Sequence, residues 1–264
     1  MLKRAIGRFV NFTALPAVLT LLFGTSAIQA DAPLEPTNAA KLGRFDVTYS
    51  GTDLIDLLSM ENSENSIREN DKFTWQMYVP NSYNSQNPPG VVVFISPTKV
   101  GWVPSTWTEV LDQENIIWIS ADGSGNHIRN KRRMLLALLS TYLVSEQYAL
   151  DTDRIYLAGF SGGGKVASVT ALNYSGLFDG GIFVGGAEVG ANIDAAQLLR
   201  ARSNRYVFLT GTRDFNRLLS KEVRAKFERM GIVHTKLISV RGMGHELPSS
   251  EYFQEAIHFL DQQE

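Results

Sequence analysis

The sequence predicts an α/β fold: a mostly parallel central sheet with helices on both faces and no large lid domain. Apolar runs of strand length recur from residue 91 onward. They begin with "VVVFIS" and "NIIWISAD" and continue through "RIYLAGF", "GIFVGG", "RYVFLTG" and "TKLISVRG". Continuous rather than alternating apolarity marks strands covered on both faces. Helical patterns at 129–149, 163–174, 194–202, 216–230 and 249–262 alternate with those runs, as parallel crossover units require. The size agrees: 264 residues, 44% hydrophobic and 20% charged, suit one domain with a substantial core and exclude disordered and fibrous classes.

In chain order, residues 1–30 read as an export signal. Lys3, Arg4 and Arg8 form a positive start, "ALPAVLTLLFG" follows, and the small residues of "TSAIQA" suit cleavage after Ala30. A membrane anchor is the competing reading, but the apolar stretch is short for a span and Pro16 interrupts it. The mature protein is therefore expected to be exported, periplasmic or secreted, with no stable membrane anchor. The absence of cysteine removes disulfides, thiolate metal sites, cysteine nucleophiles and a lipoprotein-type anchor together. A formal charge of −2 gives no reason to expect nucleic acid as a partner.

Residues 31–40, "DAPLEPTNAA", read as a flexible lead-in, and 41–264 as the single domain. "GRFDVTYS" and "FTWQMYVP" are strands rich in β-branched and aromatic residues. Between them, "GTDLIDLLSMENSENSIREND" reads as a short apolar piece followed by a polar loop. "NSYNSQNPPG" is turn chemistry. Beyond it lie the parallel strands, whose C-terminal ends are where working residues gather in open sheets.

The stretch "GFSGGGKV", residues 159–166, admits two readings. Gly-x-Ser-x-Gly is a nucleophile elbow with Ser161 at its apex; Gly-x-x-x-x-Gly-Lys is most of a phosphate-binding loop with Lys165 reaching for a nucleotide. Both need a strand before and a helix after, and both have them. The phosphate loop lacks the Ser or Thr that binds Mg²⁺, because Val166 follows Lys165. Lys165 is more simply a first-turn helix residue facing solvent. The elbow reading needs glycines at 159, 162 and 163 for a tight turn, and a helix start whose N–H groups face a developing oxyanion.

A serine hydroxyl also needs a base. His234 begins a strand at the wrong edge of the sheet, and His258 lies within the last helical pattern. His127 follows "WISAD" in a polar loop, where it can line a cleft. His245, in "GMGHELP" after the last strand, occupies the edge that a base must occupy. The carboxylate that orients such a base is Asp214, after "YVFLTGTR", with Glu188 as the second candidate and an N-cap as the competing role for Asp214. The order Ser161, Asp214, His245 is that of the α/β-hydrolase triad.

"DTDRIYLAGFSGGGKVAS", "GTRDFN" and "GMGHELP" together resemble the α/β-hydrolase-fold esterases of the feruloyl esterase and polyhydroxybutyrate depolymerase group, over residues 73–262. The resemblance implies that Ser161 is the nucleophile, His245 general base and acid, Asp214 the orienting acid, and Gly162 one backbone donor of the oxyanion hole. In one place the chain departs from that group. Where the group typically carries His-Gly after the strand equivalent to "VVVFIS", this chain has "SPTKVGW". Pro97 has no N–H, so the second donor is expected from Thr98 or Lys99.

Only residues 187–204 separate "FVGG" from "RYVFLTG", too few for a cap domain, so an open site for small or polymeric esters is expected. Trp102 and Trp107 are placed either as an aromatic wall beside Ser161 or as packing over the sheet edge. Lys99 either meets an acidic acyl group or is solvated. The function expected is ester hydrolysis through an acyl-enzyme, which needs no metal or organic cofactor. A serine peptidase using the same machinery, or a hydrolase-fold binding protein that no longer catalyses, are the alternatives.

Overall fold

The computed structural model describes residues 40–58, 67–191 and 193–262, so the stretches read as an export signal and a lead-in lie, up to residue 39, outside the described residues. Strands β1 (Gly43–Ser50) and β2 (Lys72–Val79) flank helix α1 (Gly51–Leu58). Then come β3 (Gly90–Ile95), a 3₁₀ turn (Ser105–Trp107), α2 (Thr108–Gln113), β4 (Ile116–Ala121) and α3 (Asn130–Gln147). The second half alternates β5 (Ile155–Phe160), α4 (Gly162–Asn173), β6 (Gly180–Val184), α5 (Ala195–Ala201), β7 (Arg205–Gly211), α6 (Arg217–Arg229), β8 (Thr235–Val240) and α7 (Ser250–Leu260). The eight strands form one sheet in the order β1-β2-β4-β3-β5-β6-β7-β8. β1 and β2 run antiparallel, and all pairings from β4 to β8 are parallel.

The alternation of side chains along each strand divides the core into two layers. Val91, Val93 and Ile95 of β3 join Leu135, Leu139, Val166 and Phe227 under α3, α4 and α6. Val92 and Phe94 face the opposite way, onto Trp118, Val110, Phe253 and Ile257 under α2 and α7. Both faces of the central strand β3 are covered, which is why it is apolar throughout.

Two helices depart from the sequence reading. The "short apolar piece" is α1, and its start is fixed by Ser50 and Asp53. The Ser50 N–H donates to Asp53 Oδ2 at 2.8 Å and the Asp53 N–H to Ser50 Oγ at 3.1 Å, the reciprocal arrangement of a capping box. The 3₁₀ turn and α2 replace an unassigned stretch. They exist to seat Trp107, which is 2% exposed and stacks on Phe253 at 4.2 Å between centroids. Its indole N–H donates to Pro248 O at 3.1 Å. Trp102 packs edge-on against Phe94, and its carbonyl accepts from Trp118 Nε1. Of the two placements considered for this pair, packing over the sheet is the one found.

At the opposite edge of the sheet, Asp179 ties the starts of three strands. Its Oδ2 accepts from Ile155 N at 3.0 Å, its N–H donates to Ile155 O, and its carbonyl accepts from Arg205 N. Burial pushes its carboxyl up to about 6 from 3.8. The raised folded value means that this group's contribution to stability is full below the unfolded pKa and is lost as pH rises through about 6.

Two outcomes follow for stability. Asp179→Asn keeps the acceptor for Ile155 and removes the buried charge, so urea midpoints should rise at pH 8, by roughly 1–3 kcal/mol of unfolding free energy, and match the parent at pH 4. An equal shift at both pH values would disprove the charge argument. Trp107→Ala should lower stability by about 3–5 kcal/mol, as removing a buried aromatic from a packed stack does; a Tm within a degree of the parent would place Trp107 outside the core.

Candidate active site

β5 ends at Phe160, α4 begins at Gly162, and Ser161 sits alone in the turn between them with φ 55 and ψ −121. A side chain in that left-handed region is strained, and strain of this kind persists only where neighbours over-determine it. The Ser161 N–H donates to Val184 O at 2.8 Å, and the Ser161 carbonyl accepts from Lys165 N at 3.2 Å. The turn tolerates nothing larger than glycine at 159, where a Cβ would lie 2.4 Å from Gly163 O.

Two loops bring partners to this turn. Asp214 follows β7 and His245 follows β8, so both arrive from the same edge as Ser161. His245 Nε2 lies 2.8 Å from Ser161 Oγ, and His245 Nδ1 lies 3.0 Å from Asp214 Oδ1. An ionised carboxylate only accepts, so the proton on Nδ1 faces Asp214 and bare Nε2 accepts from the serine hydroxyl. The side chain of Asp214 is 0% exposed. Its Oδ1 also accepts from Asn216 N at 2.7 Å, while Oδ2 is buried without a partner among the described residues. Asp214 therefore shapes the turn into α6 and faces His245 at once, whereas the residue that immediately precedes α6 is Asn216.

Packing holds the imidazole between two rings. Phe160 lies 4.9 Å and Phe215 4.2 Å from it, centroid to centroid. Gly185, at φ 57, backs the pair: a Cβ there would come within 3.0 Å of Asp214 Oδ2 and 3.1 Å of His245 Cε1. Asn216 Nδ2 donates to Gly185 O at 2.8 Å and fixes that approach.

An open cavity of about 380 Å³ adjoins Ser161. Asn126, Asn130 and Arg133 form one side, Lys165 and Glu188 another, and Phe215 and Asn216 the rim. Lys165 is half-buried in this wall instead of facing solvent, and Glu188 lines the cavity and does not reach His245. Of the other histidines, His258 is bonded to Glu114 on the surface of α7 and His234 precedes β8 at the far edge.

Several expected contacts with the cavity are not made. Trp102, Trp107 and His127 do not line it; His127 is exposed on the loop after β4. Neither do Thr98 and Lys99. The Thr98 N–H is committed to Ser96 Oγ at 3.0 Å, which corrects its expected role as an oxyanion donor. Asn126, Arg133 and Phe215 were not singled out by the sequence. Asn126 and Arg133 sit in "GSGNHIRNKRR", which carries no recognised spacing, and only their position after β4 pointed to the right edge of the sheet.

No protein-family model and no curated protein matches the sequence. Solved structures do match. A ferulic acid esterase superposes with a TM-score of 0.59 at 15% identity, covering 83% of this chain and 99% of the esterase. The feruloyl esterase module of Clostridium thermocellum, solved with sinapinate, gives 0.59 at 11% identity over 82% of this chain and 87% of its own. An S-formylglutathione hydrolase from Staphylococcus aureus gives 0.58 at 10% identity over 84% and 99%. With the strand order, the position of the Ser161 turn and these superpositions together, the chain has the α/β-hydrolase fold.

Proposed function

We propose that this protein is an exported serine hydrolase that cleaves carboxylic esters. The observation that carries the reading is the continuous hydrogen-bonded line from Ser161 Oγ through His245 to Asp214, on a turn that projects the hydroxyl into an open cavity. The fold's esterase neighbours support the same chemistry. Export rests on the charged and apolar start of the sequence.

Ser161 Oγ attacks the ester carbonyl carbon while His245 Nε2 takes its proton. Asp214 holds the ring in the required tautomer and stabilises the imidazolium. The carbonyl oxygen becomes an oxyanion against the N–H of Gly162, at the positive end of α4. His245 returns the proton to the departing alcohol, and the acyl group stays on Ser161. Water then attacks the acyl-enzyme, giving its proton to His245, and the tetrahedral intermediate collapses to release the acid and restore the serine.

The cavity narrows the ester. Its walls carry amides and charges of both signs, and its main apolar surface is Phe215, 76% exposed beside His245. That combination suits a polar acyl group with one flat or apolar portion resting on Phe215.

The mature protein should react stoichiometrically with a fluorophosphonate probe and hydrolyse a short p-nitrophenyl ester. Ser161→Ala should abolish both, and His245→Ala should slow both by about 10²–10⁴-fold. Well-folded protein that neither labels nor hydrolyses would instead favour a binding protein on a hydrolase fold.

A further inference from the structure

An oxyanion hole needs two donors aimed at one oxygen, and only Gly162 N is supplied by the turn at Ser161. Pro97 has no N–H, Thr98 spends its own on Ser96 Oγ, and Lys99 is not among the residues that line the cavity. A side chain from the next loop stands beside Gly162. A Cβ built on Gly162 would lie 2.1 Å from Asn126 Oδ1, 2.7 Å from its Cγ and 3.1 Å from its Nδ2. The Asn126 carboxamide therefore occupies the space beside the residue after the nucleophile, where Gly162 leaves room for it.

The amide is held there. The Asn126 N–H donates to Pro97 O at 3.0 Å, which ties the loop after β4 to the loop after β3. Behind it lies Arg133, 3% exposed. Its Nε donates to Ser124 O at 2.5 Å, and its Nη2 to Ser96 O at 3.2 Å and Asn126 Oδ1 at 3.5 Å. Burial lowers the guanidinium to about 10, which leaves it charged at neutral pH. A cation facing Oδ1 decides which way the amide points, because the reversed amide would turn its NH₂ toward another donor. Nδ2 then has two N–H groups, and none is taken by a described residue.

Distance permits the pairing. Gly162 N is about 2.5 Å from its own Cβ position, so Nδ2 and Gly162 N are no more than about 5.6 Å apart. Two donors sharing one oxygen can stand up to about 6 Å apart.

We infer that Asn126 is a catalytic residue whose Nδ2–H, with the Gly162 N–H, forms the oxyanion hole, and that Arg133 is the positioning residue that orients it. The inference rests on the serine-hydrolase reading. It makes a side-chain amide the replacement for a backbone donor that Pro97 does not carry and Thr98 has committed to Ser96. The charge behind the amide polarises it, so the N–H facing the oxyanion is a stronger donor than an isolated one.

Steady-state hydrolysis of p-nitrophenyl acetate by the mature protein tests this, with Tm and circular dichroism confirming that each variant is folded. Asn126→Ala should lower kcat by about 10²–10³-fold with KM changed only a few-fold. Asn126→Asp, the same size without the donor, should lose at least as much. Arg133→Lys should lower kcat in the parent but add almost nothing to Asn126→Ala, since it acts through that amide. Full activity in folded Asn126→Ala, beside an active parent and a dead Ser161→Ala, would overturn the inference while leaving the hydrolase reading intact. Equal costs of Arg133→Lys in both backgrounds would overturn the positioning role. A folded parent that neither hydrolyses nor labels would overturn both readings together.

Discussion

The backbone of Ser161 is the constraint on which the rest of the arrangement depends. An L-residue at φ 55 and ψ −121 costs on the order of 1–3 kcal/mol and has to be held from several sides. The bond to Val184 O anchors it to β6, and the bond from Lys165 N anchors it to the first turn of α4. Sheet and helix together therefore fix the direction of the hydroxyl. Once it is fixed, the loops after β7 and β8 must deliver a carboxylate and an imidazole to one point, and the parallel register of β5 through β8 places their ends side by side.

Charge around this point is balanced by hydrogen bonds rather than by counter-ions. Asp214 is fully buried and satisfied only on Oδ1, by the Asn216 N–H and the imidazole. Its second oxygen has no partner among the described residues, so its field is directed at the ring that would become positive. Arg133 mirrors this on the other side, a buried cation held by two carbonyls and an amide oxygen. A neutral cradle of this kind pays for desolvation without cancelling the charge.

Much of this was legible in the sequence, and the limits have physical causes. The strands from residue 91 onward could be read because burial on both faces of the central ones leaves long apolar runs with few polar interruptions. Ser161, Asp214 and His245 could be chosen because each sits in a loop directly after a strand, where topology alone determines the edge. α1 was missed although Ser50 and Asp53 carry its start signal, since the apolar part of the helix is only a few residues long. Trp107 stayed open between a wall of the site and packing over the sheet edge because its partners, Phe253 and Pro248, come from the far end of the sequence. Asn126 was invisible for a different reason. Its meaning depends on an absence at Gly162 and on a cation seven residues further along the chain, which no local pattern encodes.

Among the described residues the cavity beside Ser161 stands open: α5 and its flanking turns lie between β6 and β7, and Phe215 is at the rim with most of its ring in solvent. Bulk water reaches the reacting centre, so distant charges are screened and only groups in direct contact with the developing charge can act on it. In the hydrolysis proposed for this chain, ester and products would enter and leave by diffusion, and the tempo of turnover would belong to bond making and breaking.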